Sequence, residues 1–487
     1  MDSKAANNVV VVCRKYYLDV LMHEIKGSCT FVPVQATETS IIDDHVIATT
    51  ALRAAPTYNK LPTMYWIPKL HKNPYKSRFI SASSKCSLTN ISKVLSLALT
   101  TMKEFIIRYC DKIFENSGIN HFWSVKNSLD VLDKLRAFEN TFQSVDSYDF
   151  STLYTNLPHN LIKKKFEYLI KWCFDKSKSD YICSKVSQVF SKSFFSNETR
   201  KGYVNWTDIE VITALNFLLD NIYIRFGKQI YRQVIGIPMG TNCAPLIADL
   251  FLYCYESQFM AKLQKDPNKN HLIETFNNTY RYLDDILALN NPTFSNFIND
   301  IYPKELTLNK ANSTDSRCPF LDLDLSIING RLHTKVYDKR DDFSFPIVNF
   351  PFLEGDVPLA PAYMVYISQL VRYACICSDV FDFNDKNRFI TEKLLKQGYR
   401  YHKLVKSFTK FAHKYGHLIE KFDCTRRFLI VKGISHPDFY SNVVYKAQKF
   451  KNNLMEIKHW LKHLLAPCGA REAKRPAAGI SLSVKVH

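Results

Sequence analysis

The stretch TYRYLDDILALNN, residues 279–291, places two adjacent carboxylates, Asp284 and Asp285, between apolar residues on both sides. The flanking pattern predicts two short strands that meet at the acidic pair. Neighbouring carboxylates repel each other and resist burial, so a cation is expected to compensate for them. At the tip of a tight hairpin, the pair would offer oxygen ligands to a divalent metal. Asp is also favoured in turns, so the doublet taken alone is consistent with an ordinary turn.

A pair of metal ions needs a further carboxylate from another segment, and Asp149 is our candidate. It lies at the end of the strand-like stretch TFQSVDSYDF, residues 141–150. Two cations roughly 3.5–4 Å apart would clamp the attacking and leaving oxygens of an in-line phosphoryl displacement. Oxygen ligands accept both Mg²⁺ and Mn²⁺. The sequence therefore predicts that Asp149 and the doublet share a pocket for two Mg²⁺ ions, with Mn²⁺ as the other option.

The composition of the 487-residue chain favours a polyanionic partner. Lys and Arg total 65 against 46 for Asp and Glu, which gives a formal charge of +19. A basic chain of this kind most often meets nucleic acid, although part of the excess charge is equally expected on an ordinary solvated surface. Hydrophobic residues make up 46% of the chain, enough to exclude wholesale disorder. Aromatic residues make up 14%, which suits base stacking as well as packing.

Cysteine usage and hydropathy point to an intracellular protein. The 13 cysteines include no CxxC pair, so we interpret them as reduced thiols. No apolar run approaches the roughly 18–20 residues that cross a bilayer. The longest candidate, residues 246–255, is interrupted by Asp249. These features predict a nuclear or cytoplasmic protein with no membrane partner.

Hydrophobic periodicity predicts the elements around these candidates. Helices are expected near residues 160–175, 207–222 and 246–259. The stretch YIRFGKQIYRQ, residues 223–233, predicts a hairpin with Gly227 in its turn. Residues 61–81 predict two strands around a polar turn that contains proline.

Four segments, in order along the chain, resemble the motifs of retroelement reverse transcriptases. They are WIPKLHKNPYKSRFI (66–80), DFSTLYTNL (149–157), MGTNCAPL (239–246) and YLDD (282–285). The resemblance covers roughly residues 60–350. The wider stretches GIPMGTNCAPLIADLFLYCYE and KVYDKRDDFSFPIVNFP look most like the Penelope-like group. The resemblance implies an RNA-directed DNA polymerase of a retrotransposon, which takes an RNA template, a DNA primer or target, and deoxynucleoside triphosphates.

The same resemblance implies an α+β right-hand polymerase with fingers, palm and thumb, an antiparallel palm sheet and a helical C-terminal third. The N-terminal segment and fingers would occupy residues 1–135, and the palm residues 136–355 with a finger-side insertion at about 160–235. A helical thumb, similar to a helix-turn-helix region, would follow at 356–450. Residues 451–487 form a basic tail that we expect to be disordered.

In the resembled family, the carboxylates and their surroundings have defined roles. Asp149 and Asp284 correspond to direct ligands of both metals, Asp285 to an auxiliary carboxylate, and the carbonyl of Phe150 also faces a metal. Tyr154 corresponds to an aromatic residue that packs under the sugar and excludes a 2′-hydroxyl. Tyr154 is also consistent with an ordinary core residue.

The nucleotide-binding residues implied by the resemblance lie in three segments. Lys69 and Arg78 correspond to cations that hold the incoming triphosphate, although a solvated basic turn is the alternative. At Gly240 the backbone would approach the nucleotide and template, and Met239 beside it occupies a position where many relatives have Gln. Lys310 is a candidate for protonating the leaving pyrophosphate, and is equally consistent with a surface lysine.

A basic stripe follows in the helical C-terminal third. Its cations fall within an arc of roughly 120° on one helix. They are Lys396, Arg400, Lys403, Lys406, Lys410 and Lys414. Leu404, Phe408 and Phe411 would face the core. This pattern predicts a helix laid along a phosphate backbone, and a solvated charged face is the alternative.

Two other functions compete with the polymerase. One is a catalytically inactive, nucleic-acid-binding remnant of a retroelement, which the presence of all three carboxylates disfavours. The other is an RNA-dependent RNA polymerase, which Tyr154 disfavours because a planar ring leaves no room for a 2′-hydroxyl.

Overall fold

The computed structural model of the chain describes residues 10–27, 29–70, 75–138, 141–187, 189–340, 343, 350–423 and 429. The predicted basic tail, 451–487, lies outside the described residues. So do residues 424–428 and 430–450 of the predicted thumb. In the described part of the chain, no helix is long and apolar enough to cross a membrane.

Helices make up most of the regular structure. In chain order they are α1 (Arg14–Gly27), α2 (Glu38–Ala51), α3 (Thr89–Ser117), α4 (Ser128–Arg136), α5 (Leu153–Asn156), α6 (His159–Ser177), α7 (Asp208–Asp220), α8 (Ala244–Lys265), α9 (His271–Asn277), α10 (Ile298–Ile301), α11 (Leu359–Ile376), α12 (Val380–Lys396) and α13 (Tyr401–Lys414). The predicted helices near 160–175, 207–222 and 246–259 are confirmed as α6, α7 and α8.

The strands form five small sheets in the described residues. In chain order they are β1 (Phe31–Val34), β2 (Met64–Lys69), β3 (Lys76–Ser81), β4 (Val145–Ser151), β5 (Tyr181–Lys185), β6 (Lys192–Ser196), β7 (Val204–Trp206), β8 (Tyr223–Phe226), β9 (Gln229–Gln233), β10 (Thr279–Tyr282), β11 (Asp285–Leu289), β12 (Thr307–Lys310), β13 (Arg317–Phe320), β14 (Leu323–Ile328) and β15 (Arg331–Val336). The sheet orders are β1-β9-β8, β10-β11-β4-β12, β13-β14-β15, β2-β3 and β6-β5-β7. Every pairing between these strands is antiparallel, so the expected α+β class is confirmed.

Local sequence signals explain several element ends. Thr207 and Glu210 form a reciprocal capping box at the start of α7. Pro245 lies in the first turn of α8, where its missing N–H costs no hydrogen bond. Gly227 has a φ of +62° between β8 and β9, so the predicted hairpin and its turn are confirmed.

The central sheet, β10-β11-β4-β12, lies between two hydrophobic cores. Tyr148, Phe150 and Ile286 pack into the first core, together with α3, α6, α7 and α8. Val145 and Leu287, which alternate with them along the strands, pack into the second core with β13–β15 and α11–α13. A sheet covered on both faces can expose side chains only at its ends and edges. The acidic residues of β4 and β11 lie at such an end.

The C-terminal basic stripe does not lie wholly on one helix, because Lys396 belongs to α12 and the other five cations lie on α13 or at its N-cap. Helix α12 ends at Lys396, and α13 begins at Tyr401. Between them Gly398 has a φ of +85°, and the N–H groups of Gly398 and Tyr399 donate to the last carbonyls of α12. This glycine turn ends α12 and redirects the chain, because a left-handed residue cannot continue a right-handed helix.

Candidate active site

Asp149 and Asp285 lie directly opposite each other on neighbouring antiparallel strands, β4 and β11. The N–H of Phe150 donates to the carbonyl of Asp284 at 3.0 Å. This bond joins the positions next to Asp149 and Asp285. Hydrogen-bonded and non-hydrogen-bonded pairs alternate along antiparallel strands, so Asp149 and Asp285 form a non-hydrogen-bonded pair. In such pairs the Cα atoms are about 4.5 Å apart and the side chains emerge close together on one face. The structure therefore brings the three predicted carboxylates to one place in the backbone.

The turn between β10 and β11 consists of Leu283 and Asp284. Tyr282 pairs with Asp285 across the hairpin, which leaves only two residues in the connection. Leu283 has a φ of +53°, a left-handed conformation that is unusual for a residue with a branched side chain. A backbone of this kind persists only where its surroundings hold it, and such positions cluster at functional sites.

The donor set at this turn fits a hard divalent cation. Asp149 is exposed and both members of the doublet are half-buried, so the carboxylates reach solvent at the end of the sheet. Carboxylate oxygens, with the backbone carbonyl of Phe150, are the ligand type that Mg²⁺ and Mn²⁺ prefer. Two like charges directly opposite each other on a sheet are destabilising, which an intervening cation would relieve. Among the described residues, however, no three acidic, His or Cys side chains already converge in a metal-binding group.

A buried ion network lies under the acidic turn. Arg281 on β10 is fully buried, and its guanidinium donates to Asp249 at 2.7 Å and to Glu256 at 2.5 and 3.0 Å, both on α8. The same guanidinium donates to the carbonyl of Leu283 at 3.3 Å. Burial alone would lower the pKa of Arg281, but the charges of Glu256 and Asp249 override it and raise the pKa. Arg281 thus stays charged and ties the strained turn to α8.

Three further residues complete the network. Lys103 on α3 forms an ion pair of 2.5 Å with Asp249, and Ser124 donates to the same carboxylate at 2.9 Å. The hydroxyl of Tyr302 donates to Glu256 at 2.8 Å. Burial tends to raise the pKa of Asp249, but Arg281 and Lys103 outweigh it and lower the pKa. Both acids of α8 therefore have cationic or hydroxyl partners, as buried charges require.

The sequence analysis did not identify this network. Asp249 and Glu256 are seven residues apart, which places them on one face of α8 two turns apart. Two acids on the buried face of a largely apolar helix predict a buried cation that pairs with them, because buried charges need partners. Nothing in the sequence pattern, however, pointed to Arg281 as that partner.

Tyr154 lies beside the doublet. Burial raises the pKa of its phenol to about 12, and the negative charge of Asp284 contributes to the same shift. The ring is half-buried and packs against the first core. Its backbone carbonyl accepts the N–H of Ile237 at 2.7 Å, and a Cβ on Gly236 would come within 2.5 Å of that carbonyl oxygen. Tyr154 is therefore both a packing residue and a neighbour of the carboxylates.

Lys69 and Arg78 share one face of the β2–β3 hairpin. Lys69 pairs with Lys76 and Ile67 pairs with Arg78, which puts both cations on the same side. The opposite face carries Trp66, which packs into a separate small core. The Nε of Arg78 is buried and has no hydrogen-bond partner among the described residues. A buried guanidinium nitrogen in this condition suits an anionic ligand.

The loop with Met239 and Gly240 contacts this hairpin. The N–H of Ser81, at the end of β3, donates to the carbonyl of Met239 at 2.8 Å. Gly240 has a φ of +119°, and a Cβ there would overlap the carbonyl oxygen of Ser81. The close approach to Ser81 therefore explains why a glycine occupies position 240. Its predicted approach to nucleotide and template stays a prediction.

The structure does not bring Lys310 to the carboxylates. Lys310 pairs with Tyr148 on the central sheet, so its side chain lies on the face opposite to that of Asp149. Its ammonium pairs with Asp146 at 2.8 Å and Asp315 at 2.7 Å, and these bonds raise its pKa. A lysine that pairs with two carboxylates, on the sheet face opposite to Asp149, is a poor proton donor for pyrophosphate. The structure therefore favours the alternative for Lys310, a structural lysine near the surface. Asn309 pairs with Asp149 instead and shares its face.

Helix α13 carries the remaining predicted cations on its outer side. Lys406, Lys410 and Lys414 are exposed, as is Arg400 at the N-cap. Lys403 is half-buried, with its ammonium 5.7 Å from the ring centre of Tyr363. The predicted inward face is confirmed, since the three apolar side chains expected there are buried. They are Leu404, Phe408 and Phe411.

Sequence comparisons identify no relative. No protein-family model matches the chain. No curated protein matches it either.

Solved structures, in contrast, are similar to the chain. Telomerase from Candida albicans, solved with the TWJ fragment of telomeric RNA, is 12% identical, with 90% of this chain and 69% of that chain covered at a TM-score of 0.53. Apo telomerase from Candida tropicalis is 12% identical, with 91% and 77% covered at 0.41. The Sicinivirus 3Dpol RNA-dependent RNA polymerase is 12% identical, with 58% and 52% covered at 0.32. The Candida albicans structure shows that this chain shares the overall fold of that telomerase.

Proposed function

We propose that this chain is an RNA-directed DNA polymerase, the reverse transcriptase of a retrotransposon similar to the Penelope-like group. The observation that carries the proposal is the pairing of Asp149 with Asp285 beside the strained Leu283–Asp284 turn. The fold shared with a telomerase supports a nucleic-acid polymerase in general. The retroelement assignment rests on the four sequence motifs alone.

In this proposal the described elements divide as the family resemblance implies. The β2–β3 hairpin belongs to the fingers, the central sheet to the palm and α11–α13 to the thumb. The thumb's likeness to a helix-turn-helix region is likewise part of the proposal. The RNA template and DNA primer would run across the basic side of α13, and the protein would work in the nucleus or cytoplasm.

The residues of the acidic turn would hold two Mg²⁺ ions. Asp149, Asp284, the carbonyl of Phe150 and, as an auxiliary, Asp285 are the proposed ligands. When bound, the ions would activate the primer 3′-hydroxyl and neutralise charge on the triphosphate. The chain's own part is to hold these oxygens in place through the central sheet and the Arg281 network. Catalysis would come mainly from positioning and charge stabilisation.

Two other groups would orient the nucleotide. Arg78, whose Nε lacks a hydrogen-bond partner among the described residues, would contact the triphosphate together with Lys69 on the same hairpin face. The ring of Tyr154 would lie under the sugar and leave no room for a 2′-hydroxyl. With a pKa near 12, its phenol stays protonated at any working pH and adds no charge beside the carboxylates.

Primer extension on poly(rA)/oligo(dT) with Mg²⁺ and deoxythymidine triphosphate tests the proposal. We expect extension by the full chain and its loss in Asp284→Asn, which removes one ligand charge and keeps the side-chain shape. Asp300→Asn, at an exposed position on α10, is the matched control and should extend normally. If the control and Asp284→Asn extend equally, the carboxylate site is not the catalytic centre.

One observation favours the alternative, a catalytically inactive nucleic-acid-binding remnant. In the described part of the chain, the acidic side chains do not already form a three-membered metal-binding group. Retention of the same primer–template on a filter, without extension in either Mg²⁺ or Mn²⁺, would support the remnant.

The choice of sugar separates the proposal from an RNA polymerase. We expect Tyr154→Ala to incorporate ribonucleotides about 10- to 200-fold better relative to deoxynucleotides, the scale on which a pocket rejects one extra small group. Tyr154→Phe keeps the ring and should keep the preference. An unchanged sugar ratio in Tyr154→Ala would remove Tyr154 from this role.

A further inference from the structure

The sheet β6-β5-β7, inside the predicted finger-side insertion, packs one face on the first core, and its outer face reaches solvent except at Cys183, which is buried. Its inner face carries Ile182, Phe195 and Trp206, which pack against the first core. Side chains alternate between the faces of a strand, so the neighbours of these residues point outward. On the outer face, Cys183 pairs with Phe194 and Lys185 pairs with Lys192.

The outer face combines aromatic rings and ammonium groups. The rings of Phe194 and Tyr203 meet edge to face, with centroids 5.6 Å apart. The ammonium of Lys185 lies 5.7 Å from the ring centre of Tyr203, and that of Lys192 lies 5.3 Å from the ring centre of Phe194. Both lysines are exposed and both rings are half-buried. Rings and cations therefore form one continuous solvent-facing surface.

The two lysines face each other directly across β5 and β6. Like charges at opposed positions of a sheet are destabilising. Neither lysine forms an ion pair with a described residue. Residues 181–206 as a whole contain four cations, Lys185, Lys192, Arg200 and Lys201, against one acid, Glu198. Among the described residues, Lys185 and Lys192 thus have no ion-pair partner, and their charge complements a polyanion.

The turn between β5 and β6 extends the same surface with exposed apolar side chains. Phe190 is 67% exposed and Val189 is 96% exposed. Val189 and Phe190 precede Lys192 by three and two residues in the chain, at the end of the sheet where the two lysines oppose each other. An exposed aromatic ring beside cations suits contact with an unpaired base whose phosphate is neutralised nearby.

We propose that the outer face of β6-β5-β7 binds single-stranded nucleic acid. Phosphates would contact Lys185 and Lys192, and bases would stack on Tyr203 and Phe194, with Phe190 at the margin. The inference rests on the proposed function only in taking nucleic acid as the chain's ligand. It adds a surface separate from the acidic turn and from α13. Phosphate contacts and base stacking do not distinguish the sugar or the base sequence, so both RNA and DNA single strands would be ligands.

Fluorescence anisotropy of the full chain with labelled 20-mer oligo(rU) and oligo(dT), over a range of salt concentrations, tests the charged part. In Lys185→Ser/Lys192→Ser we expect the slope of log K against log salt to fall by about 1.4, or roughly 0.7 for each lost phosphate contact. Lys112→Ser/Lys265→Ser is the matched control, since it removes the same charge from exposed positions on α3 and α8. Equal slopes in the two double variants would overturn the proposal.

Stacking is tested separately from charge and packing. Tyr203→Leu keeps apolar bulk but removes the ring, and should weaken binding of both oligonucleotides roughly 5- to 150-fold. Tyr203→Phe keeps the ring and should bind like the unmodified chain. A blunt 20-base-pair duplex has no unpaired base, so its affinity should not change in Tyr203→Leu. An equal loss for duplex and single strand would contradict stacking.

Cross-linking locates the contact without any substitution. Oligonucleotides that carry 5-iodouridine should give adducts on peptides from residues 181–206, and adducts confined to other segments would overturn the proposal. Primer extension is scored separately. Cross-linking to this sheet without extension would support the surface and reject the polymerase, whereas extension with no contact here would reject the surface alone.

Discussion

Arg281, a fully buried residue, supports the acidic turn through a hydrogen bond to its backbone. Its guanidinium reaches two carboxylates of α8 and also the carbonyl of Leu283, the residue with left-handed backbone in the turn. A charge with no exposed surface is tolerable only when its partners are in place. The backbone geometry of the proposed catalytic turn therefore depends on a residue that does not belong to the acidic motif.

Removal of this cation should be costly. We expect Arg281→Met to lower the free energy of unfolding by about 3–5 kcal/mol, because Asp249 and Glu256 would stay buried without it. Urea unfolding measures the change. Arg136→Met is the matched control, since Arg136 pairs with Asp133 while the two side chains are 58% and 74% exposed, and it should cost no more than about 1 kcal/mol. A similar loss in both variants would show that the network contributes little.

His45 predicts a pH dependence of stability. Its ring is fully buried between α2 and neighbouring elements, and burial lowers its pKa from 6.5 to about 4. Its Nδ1 lies 2.8 Å from the hydroxyl of Ser87. Between pH 6.5 and 4, His45 is protonated in the unfolded chain but stays neutral in the folded chain. The stabilisation is therefore complete above pH 6.5 and is lost as the pH falls to 4.

We expect His45 to account for about 3 kcal/mol of this acid-linked loss. His45→Asn keeps a polar atom near the Nδ1 position but cannot titrate, so its free energy of unfolding should fall less between pH 7 and pH 4. Urea titrations at the two pH values measure the difference. His402→Gln, at an exposed position on α13, should behave like the unmodified chain. Parallel pH profiles for His45→Asn and the unmodified chain would rule out this linkage.

At the scale of elements, the β2–β3 hairpin is joined to the segment that follows β4 through backbone contacts. Ser81 donates to Met239, and Ile237, two residues earlier in that loop, donates to Tyr154 just after β4. The loop of residues 236–240 thus links the predicted fingers to the central sheet. Gly240 permits this link because no side chain separates it from Ser81.

Gly240→Ala should break that link at a measurable cost. Gly118 is the matched control, since it has a φ of +67° but open space where a Cβ would be. Both substitutions strain the backbone, and only Gly240→Ala also collides with Ser81. We expect Gly240→Ala to cost about 1–3 kcal/mol more in urea unfolding than Gly118→Ala. Equal costs would mean that the close approach to Ser81 relaxes freely.

At the scale of the whole molecule, the formal charge is +19, and exposed cations lie on several of the described elements. The exposed side of α13 is one of them, with its apolar side packed into the second core. A helix fixed in this way presents its lysines from a rigid support. Its affinity for nucleic acid should therefore depend on salt through counterion release.

The α13 lysines should contribute to that dependence. For Lys406→Gln/Lys410→Gln/Lys414→Gln we expect the salt slope for a primer–template duplex to fall by about 2–3. The control removes three exposed lysines from other elements, as Lys112→Gln/Lys265→Gln/Lys304→Gln. Anisotropy at several salt concentrations compares the two. If both triple variants change the slope equally, α13 is a solvated charged face, the alternative reading of its sequence.

The local sequence pattern alone determined several strands, a hairpin turn and the buried face of one helix. The alternation around Asp149 and the doublet predicted strands with acids at their ends, and Gly227 predicted its hairpin, because neighbours in sequence decide turn and strand chemistry. The inward face of α13 followed from helical periodicity for the same reason. Even so, the glycine turn at Gly398, which separates α12 from α13, was overlooked in the sequence.

Contacts between distant segments were decided only by the tertiary structure. The register of β4 against β11 set Asp149 opposite Asp285, and the register of β12 turned Lys310 to the other face of the sheet, since a shift of one residue reverses every side chain. The pairing of Arg281 with acids 25 and 32 residues away likewise depends on how α8 packs under the sheet. Sequence patterns specify which residues are buried, whereas packing decides which buried charges meet.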